Sequence, residues 1–288
     1  MIIVIDIGNS SVALSGIRGE QVVFTGEVET NRQWGEAEYT AALRPLLEGV
    51  SCRGAILSSV VPPVTETVRR AAAALLGTEP MLVTDETQTG LVLDVPEKER
   101  VGKDRLVDAA YAAANFPLPV ITVDLGTATT FNVVDENRVF RGGVICPGLS
   151  TGLRALGERC AQLPQVRLNS PKTAIGVNTE SCMLSGSVLG TAVLLDGITQ
   201  RIEEELGRPA TLVVTGGLAK YVTPLCRHPL IYDPELLLKG LALLYQMNAP
   251  QPHYAAGGRR RNQNNNFRRG RRPRSQRRER REEEKKNG

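Results

Sequence analysis

Two short stretches set a carboxylate, a glycine and hydroxyls at the same spacing: Asp6-Ile7-Gly8-Asn9-Ser10-Ser11 and Asp124-Leu125-Gly126-Thr127-Ala128-Thr129. An apolar run leads into each (Ile2–Ile5, Ile121–Val123) and another follows (Val12–Leu14, Phe131–Val134), which predicts two hairpins with an acid and hydroxyls at the tip. The chemistry open to such a tip is phosphate and cation binding. The carboxylate can hold a cation or its water, the glycine lets backbone N–H groups approach phosphate oxygens, and the hydroxyls donate hydrogen bonds. Two tips facing each other would hold a triphosphate from both sides. A single Asp-x-Gly-x-Ser/Thr also marks an ordinary turn between strands. Two copies in register, with Thr215-Gly216-Gly217 after the strand-like run Thr211–Val214, favour the phosphate reading.

The elements that must position these tips follow from pattern. Gln21–Glu29 alternates as a third strand; Asn31–Glu48 reads as a helix with Asn31 as its cap; Arg53–Val60 is a strand stopped by Pro62-Pro63; Thr65–Leu76 is an alanine-rich helix. Thr87–Arg100 reads as an irregular connection, followed by Val101–Arg105 and a helix over Leu106–Asn115. After the second hairpin come a strand near Arg138–Val144, a loop through Gly148, and a helix over Ser150–Cys160. A long helix from about Asn178 to Leu206, the strand Thr211–Val214 and a helix over Pro234–Met247 complete the pattern. The two halves repeat each other, and a duplicated α/β chain of this kind folds as two similar lobes with a cleft between them.

Composition narrows the function classes. The 288 residues are 41% hydrophobic and 23% charged, enough for a sizeable core. Five cysteines without a Cys-x-x-Cys pair argue against a zinc site or disulfide framework, and the two histidines, His228 and His253, have no hydrolase setting. No uninterrupted apolar run of membrane-span length is read from the sequence, nor a signal-peptide core, so the expectation is a cytoplasmic protein with no membrane partner. The net charge of +4 hides a segregation. Fourteen of the 35 basic residues and only four of the 31 acidic ones lie in Gly258–Gly288, leaving an acidic body with a basic tail. That tail is expected to be disordered, and its arginines with Asn, Gln and Phe267 suit contact with RNA or another polyanion as well as a purely solubilising role.

The hairpin motifs resemble those of the acetate and sugar kinase, Hsp70 and actin superfamily, and more narrowly the type III pantothenate kinases. Asp6-Ile7-Gly8-Asn9-Ser10 is similar to that family's first phosphate motif, Gly102-Lys103-Asp104-Arg105 to its Gly-x-Asp-Arg motif, and Asp124–Thr129 to its second phosphate motif. Ser59–Pro62, Gly142–Leu149, Gly176–Thr179 and Thr215–Gly217 fall in the same order, over about residues 1–247. The resemblance implies an α/β fold of two similar ribonuclease H-like lobes with mixed sheets and an ATP cleft between them, residues 1–117 and 118–247, with 248–288 as the tail. It implies ATP-dependent phosphorylation of pantothenate, the first step towards coenzyme A, by a homodimer using magnesium and potassium or ammonium.

Residue by residue, the resemblance implies that Asp6, Ile7, Gly8, Asn9, Ser10, Ser11, Val12 and Ala13 surround the ATP phosphates, with Asp6 near magnesium. Thr127 contacts ATP from the other lobe, and Asp124 is a monovalent-cation ligand. Gly102, Lys103, Asp104, Arg105 and Thr179 bind pantothenate, and Asp104 accepts the proton. The chemistry agrees, since a carboxylate can take the proton of a primary alcohol and an arginine can pair with the substrate's carboxylate. Standing alone, Gly-Lys-Asp-Arg would read as a solvated helix start and Thr179 as a helix-start hydroxyl. The chain departs from the family at Ser10, where Thr is usual, and in Leu93–Arg100, which lacks the usual Tyr followed by Asn-Pro. A non-catalytic regulatory or nucleic-acid-binding relative is the alternative.

Overall fold

The computed structural model describes residues 1–249, whose strands form two mixed β-sheets. The first half runs β1 (Ile2–Ile7), β2 (Ser11–Arg18), β3 (Gln21–Glu29), α1 (Glu36–Leu47), β4 (Gly54–Ser59), α2 (Pro62–Leu76), β5 (Met81–Leu82), β6 (Val92–Leu93) and α3 (Lys103–Asn115). The second runs β7 (Val120–Leu125), β8 (Ala128–Val134), β9 (Val139–Pro147), α4 (Leu149–Arg159) and α5 (Thr179–Leu184). A π-helical segment, Ser185–Leu189, joins α5 to α6 (Gly190–Leu206); then come β10 (Thr211–Thr215), α7 (Ala219–Val222), β11 (Ile231–Tyr232) and α8 (Leu236–Asn248).

The duplication is visible in the strand order. The first sheet is ordered β3-β2-β1-β4-β5 and the second β11-β10-β7-β8-β9-β6, so β7 to β11 repeat β1 to β5. In both, the first three strands are antiparallel and the fourth and fifth join in parallel. β6, from the irregular connection, adds to the far edge of the second sheet beside β9.

Side-chain alternation decides what faces what. On β1, Ile2 and Val4 pack with Val107 and Ala110 of α3 and with Leu241 and Leu244 of α8, while Ile3, Ile5 and Ile7 pack with α1 and α2. On β7, Val120 packs with Leu106, Ala109 and Ala112 of α3, while Ile121, Val123 and Leu125 pack against α4 and α6. The period of two therefore turns Asp6 and Asp124 to the α3 side of their sheets, because each continues the row of Val4 or Val120. α3 is packed on both sheets.

Several element bounds differ from the sequence reading; α3, for one, starts at Lys103 rather than Leu106. α1 starts at Glu36, not Asn31, because the Asn31 carboxamide accepts from Gln33 N (3.0 Å) and closes a local turn, while Glu38 Oε2 accepts from Gly35 N (3.0 Å) at the true helix start. α2 begins on Pro62 itself, since a proline in the first turn lacks only an N–H that would have no helical partner. β9 continues through Pro147, paired with Ala128, where a loop was expected. The segment Thr179–Leu206 is long and apolar enough, by length and composition, to cross a membrane. Here Val188, Ala192 and Leu195 from it pack onto the second sheet.

Candidate active site

The first tip is held by backbone and neighbours. Gly8 N donates to Ser11 O (3.0 Å), Thr30 Oγ1 donates to Gly8 O (2.7 Å), and Arg32 Nη2 donates to Asn9 Oδ1 (3.2 Å). The second tip is closed by Gly126 N to Ala128 O (3.1 Å) and steadied by Thr151 Oγ1, which donates to Thr127 O (2.8 Å). Ser10 Oγ and Thr127 Oγ1 lie 3.4 Å apart, so the two tips meet. Ile7 and Val12 are fully buried core residues, and they hold the strands on either side of the first tip in register.

Behind the tips, α3 brings its own carboxyls up to Asp6 and Asp124. Asp104 lies in the first turn of α3, capped by Gly102, and its Oδ1 accepts from Arg105 N (2.8 Å). Burial pushes the Asp104 carboxyl above its usual range, opposed by Arg105. Burial, then the charge of Asp104, raises Asp6 to about 7. Ser58 sits across from Asp6 on β4 and only softens this, its hydroxyl being outside hydrogen-bond geometry. Asp124 is likewise raised to about 7 by burial and by Asp104. A fourth acid, Asp108, one helical turn beyond Asp104, is buried and also raised, by desolvation and then by Asp124, Asp104 and Asp6. Groups whose burial and mutual charge both oppose ionisation mark a place where positive charge is expected to arrive.

The donors suit hard cations. Among the described residues Asp6 Oδ1 and Asp108 Oδ1 are buried without hydrogen-bond partners, and carboxylate oxygens are ligands that hard cations such as magnesium take. Among the described residues no group of three or more acids, histidines or cysteines is arranged as a preformed metal cage. Gly216 has φ +98°, and a Cβ there would lie 2.4 Å from Asp124 Oδ1 and 2.6 Å from Leu125 N. The Thr215-Gly216-Gly217 loop thus comes against the Asp124 carboxylate because that residue has no side chain.

The remaining candidates are placed as follows. The Lys103 ammonium pairs with Asp85 and also reaches Val101 O (3.4 Å). The Arg105 guanidinium lies on β8, with Nε donating to Asn132 Oδ1 (2.6 Å) and Nη2 to Phe131 O (3.3 Å). Thr179 is exposed at the start of α5, whose cap is Asn178, and no hydrogen bond links it to Asp104 or Arg105. His228 is far from the tips: it faces Glu203 (3.2 Å) in a cavity of about 530 Å³ at the beginnings of β10 and β11, the opposite end of the sheet from Asp124. Asn132 and Asp108 stand in no motif that the sequence marks as functional. The only signal available was their polarity within otherwise apolar stretches.

Two sheets of the same order, each offering an acid-tipped hairpin to a shared helix that carries further acids, make a duplicated two-sheet α/β fold. Solved structures share it at the level of fold. A Campylobacter jejuni protein described as a putative Baf family transcriptional activator matches with a TM-score of 0.55 at 17% identity, over 85% of this chain and 98% of its own. A ROK family glucokinase from Streptomyces griseus, in complex with glucose and AMPPNP, matches with a TM-score of 0.52 at 13% identity, over 85% and 99%.

The sequence model of the type III pantothenate kinases matches residues 2–201. Type III pantothenate kinases of Thermus thermophilus (40% identical over 251 residues, 85% of this chain and 98% of the relative) and of an Exiguobacterium species (37% over 253 residues, 86% and 99%) align over nearly their whole length. The chain belongs to the type III pantothenate kinase family.

Proposed function

We propose that this chain phosphorylates pantothenate on its primary hydroxyl at the expense of ATP, giving 4′-phosphopantothenate and ADP, the first step of coenzyme A biosynthesis. The observation that carries the reading is the position of Asp104: it starts the helix packed between the two sheets, in electrostatic contact with the acids of both hairpins, beside Arg105.

In this reading Asp6–Ala13 and Thr127 grip the phosphates of ATP, backbone N–H groups and hydroxyls supplying donors to charge that builds on the transferred group. Asp6 would hold magnesium and Asp124 potassium or ammonium, which supply positive charge against the phosphates. Gly102–Arg105 and Thr179 bind pantothenate, with Arg105 pairing with its carboxylate. The substrate oxygen attacks the γ-phosphorus, the bond from that phosphorus to the bridging oxygen of ADP breaks, and the hydroxyl proton passes to Asp104. Burial suits Asp104 to the task, because a carboxyl raised above its usual range is a stronger base towards an alcohol proton. A cytoplasmic location and a homodimer are part of the same reading, as are two lobes divided at residues 117 and 118.

The test is ATP-dependent phosphorylation of pantothenate with magnesium, in potassium and in sodium. Product formed faster in potassium is expected; no turnover in either, with ATP still bound, would leave the chain as a non-catalytic relative. The basic stretch Gly258–Gly288 lies outside the described residues. A polyanion contact through it predicts that deleting it abolishes retention on RNA at low salt.

A further inference from the structure

Asn132 lies in the middle of β8, wholly buried, opposite Thr122 on β7 and Gly143 on β9. A buried carboxamide in a central strand is tolerated when its polar atoms are satisfied. Here both ends are engaged. Asn132 Nδ2 donates to Thr122 Oγ1 (3.1 Å), and Asn132 Oδ1 accepts from Arg105 Nε (2.6 Å). The guanidinium is held further by Phe131 O (3.3 Å to Nη2), and its central carbon lies 5.9 Å from the centre of the Phe140 ring. Residue 143 on the neighbouring strand is a glycine: a Cβ there would come 1.8 Å from Phe131 O, the carbonyl that holds Nη2, and 3.1 Å from Nη2 itself. Nη1 makes no hydrogen bond to the described residues, so one edge of the fork is docked and another is free.

The neighbour on the chain makes this docking matter. Asp104 is adjacent, and an arginine free to swing would pair with that carboxylate, neutralising both. Asn132 is a neutral acceptor, so it fixes the guanidinium without cancelling its charge. A fork already held in one orientation loses less freedom when it pairs with a second anion.

We infer that Asn132 is a positioning residue for acceptor recognition: by holding Arg105 Nε from inside the sheet, with Thr122 holding Asn132, it aims the free edge of the guanidinium at the substrate's carboxylate and sets the preference for a carboxylate-bearing acceptor over an uncharged one. This rests on the assignment of Arg105 to the pantothenate carboxylate.

The experiment compares kcat/KM for pantothenate with that for its alcohol analogue, which keeps the primary hydroxyl to be phosphorylated and replaces the carboxylate by CH2OH. In Arg105→Gln the pantothenate-to-alcohol ratio falls about 100-fold, as expected for loss of a hydrogen-bonded charge. In Asn132→Ala it falls about tenfold, and in Thr122→Val it falls by less in the same direction. In the Arg105→Gln background Asn132→Ala changes the ratio no further, because its effect passes through the guanidinium. Equal loss of activity on both substrates in Asn132→Ala, or a further fall in the double variant, overturns the inference while leaving Arg105 in place. An unchanged ratio in Arg105→Gln overturns the Arg105 assignment, and the role of Asn132 with it. If Asn132→Ala does not fold, Thr122→Val, which preserves shape and strand preference, decides alone: an unchanged ratio there overturns the inference.

Discussion

The hydroxyls of Ser10 and Thr127 lie 3.4 Å apart although 117 residues separate them in the chain. Each stands at a hairpin tip of a different sheet, and in the proposed reading two hydroxyls this close can donate side by side to oxygens of one phosphate group.

Removing one hydroxyl should weaken nucleotide binding first. Thr127→Ala is expected to raise the KM for ATP by about tenfold, the size of a lost hydrogen bond to a charged group, with a smaller effect on the KM for pantothenate. Steady-state kinetics with each substrate varied in turn measures this. A larger effect on pantothenate would place Thr127 elsewhere in the reaction.

Asp104→Asn keeps shape and removes the proposed proton acceptor. A fall in kcat of about 10²- to 10⁴-fold is expected, with ATP affinity by calorimetry held within a few-fold. The carboxamide can still accept from Arg105 N, so the start of α3 is preserved.

The raised carboxyls of Asp6 and Asp124 should make the stability of the ligand-free protein depend on pH. Both are raised to about 7 from 3.8, chiefly by burial, so the native state holds these protons more tightly than the unfolded chain. Their contribution to stability is complete below the unfolded value near 3.8 and is lost as pH rises through about 7. In chelator and low salt, the thermal midpoint is expected to drop by several degrees between about pH 5.5 and about pH 8.5. Asp124→Asn should shrink the drop, and magnesium with ATP and potassium should do the same. A flat profile in calorimetry would remove the basis for placing cations at these two acids.

Gly216→Ala tests the approach of the glycine loop to Asp124. The backbone there is left-handed at φ +98°, and the added carbon would meet Asp124 Oδ1. A loss of about 1–3 kcal/mol in urea unfolding is expected, together with a weaker response to potassium. Unchanged potassium stimulation in a folded variant would separate the loop from the cation.

The acid-tipped hairpins were legible in the sequence because their signal is local and occurs twice: an apolar run, Asp, Gly and hydroxyls within six residues. Asp104 needed its motif, since a charged helix start has many meanings. Asn132 and Asp108 were not legible, because their meaning comes from pairing across the chain. Asn132 matters through its register with Thr122 and its reach to Arg105, and Asp108 reads as a surface acid until α3 is packed from both sides. β6 and β11, two residues each, are too short to leave a pattern, and partners 47 and 18 positions away give them their place.

Adjacent residues of α3 belong to opposite sheets: Leu106 and Ala109 pack with the second, Val107 and Ala110 with the first. Neither sheet can keep its inner face dry without this helix, so separation of one sheet exposes the other's core. Residues 1–249 should accordingly melt in one cooperative transition, with no half-folded form that retains one intact sheet. A chain that loses its fold anywhere along α3 loses Asp104 in the same step, so no partly unfolded species is left to bind ATP and turn it over slowly.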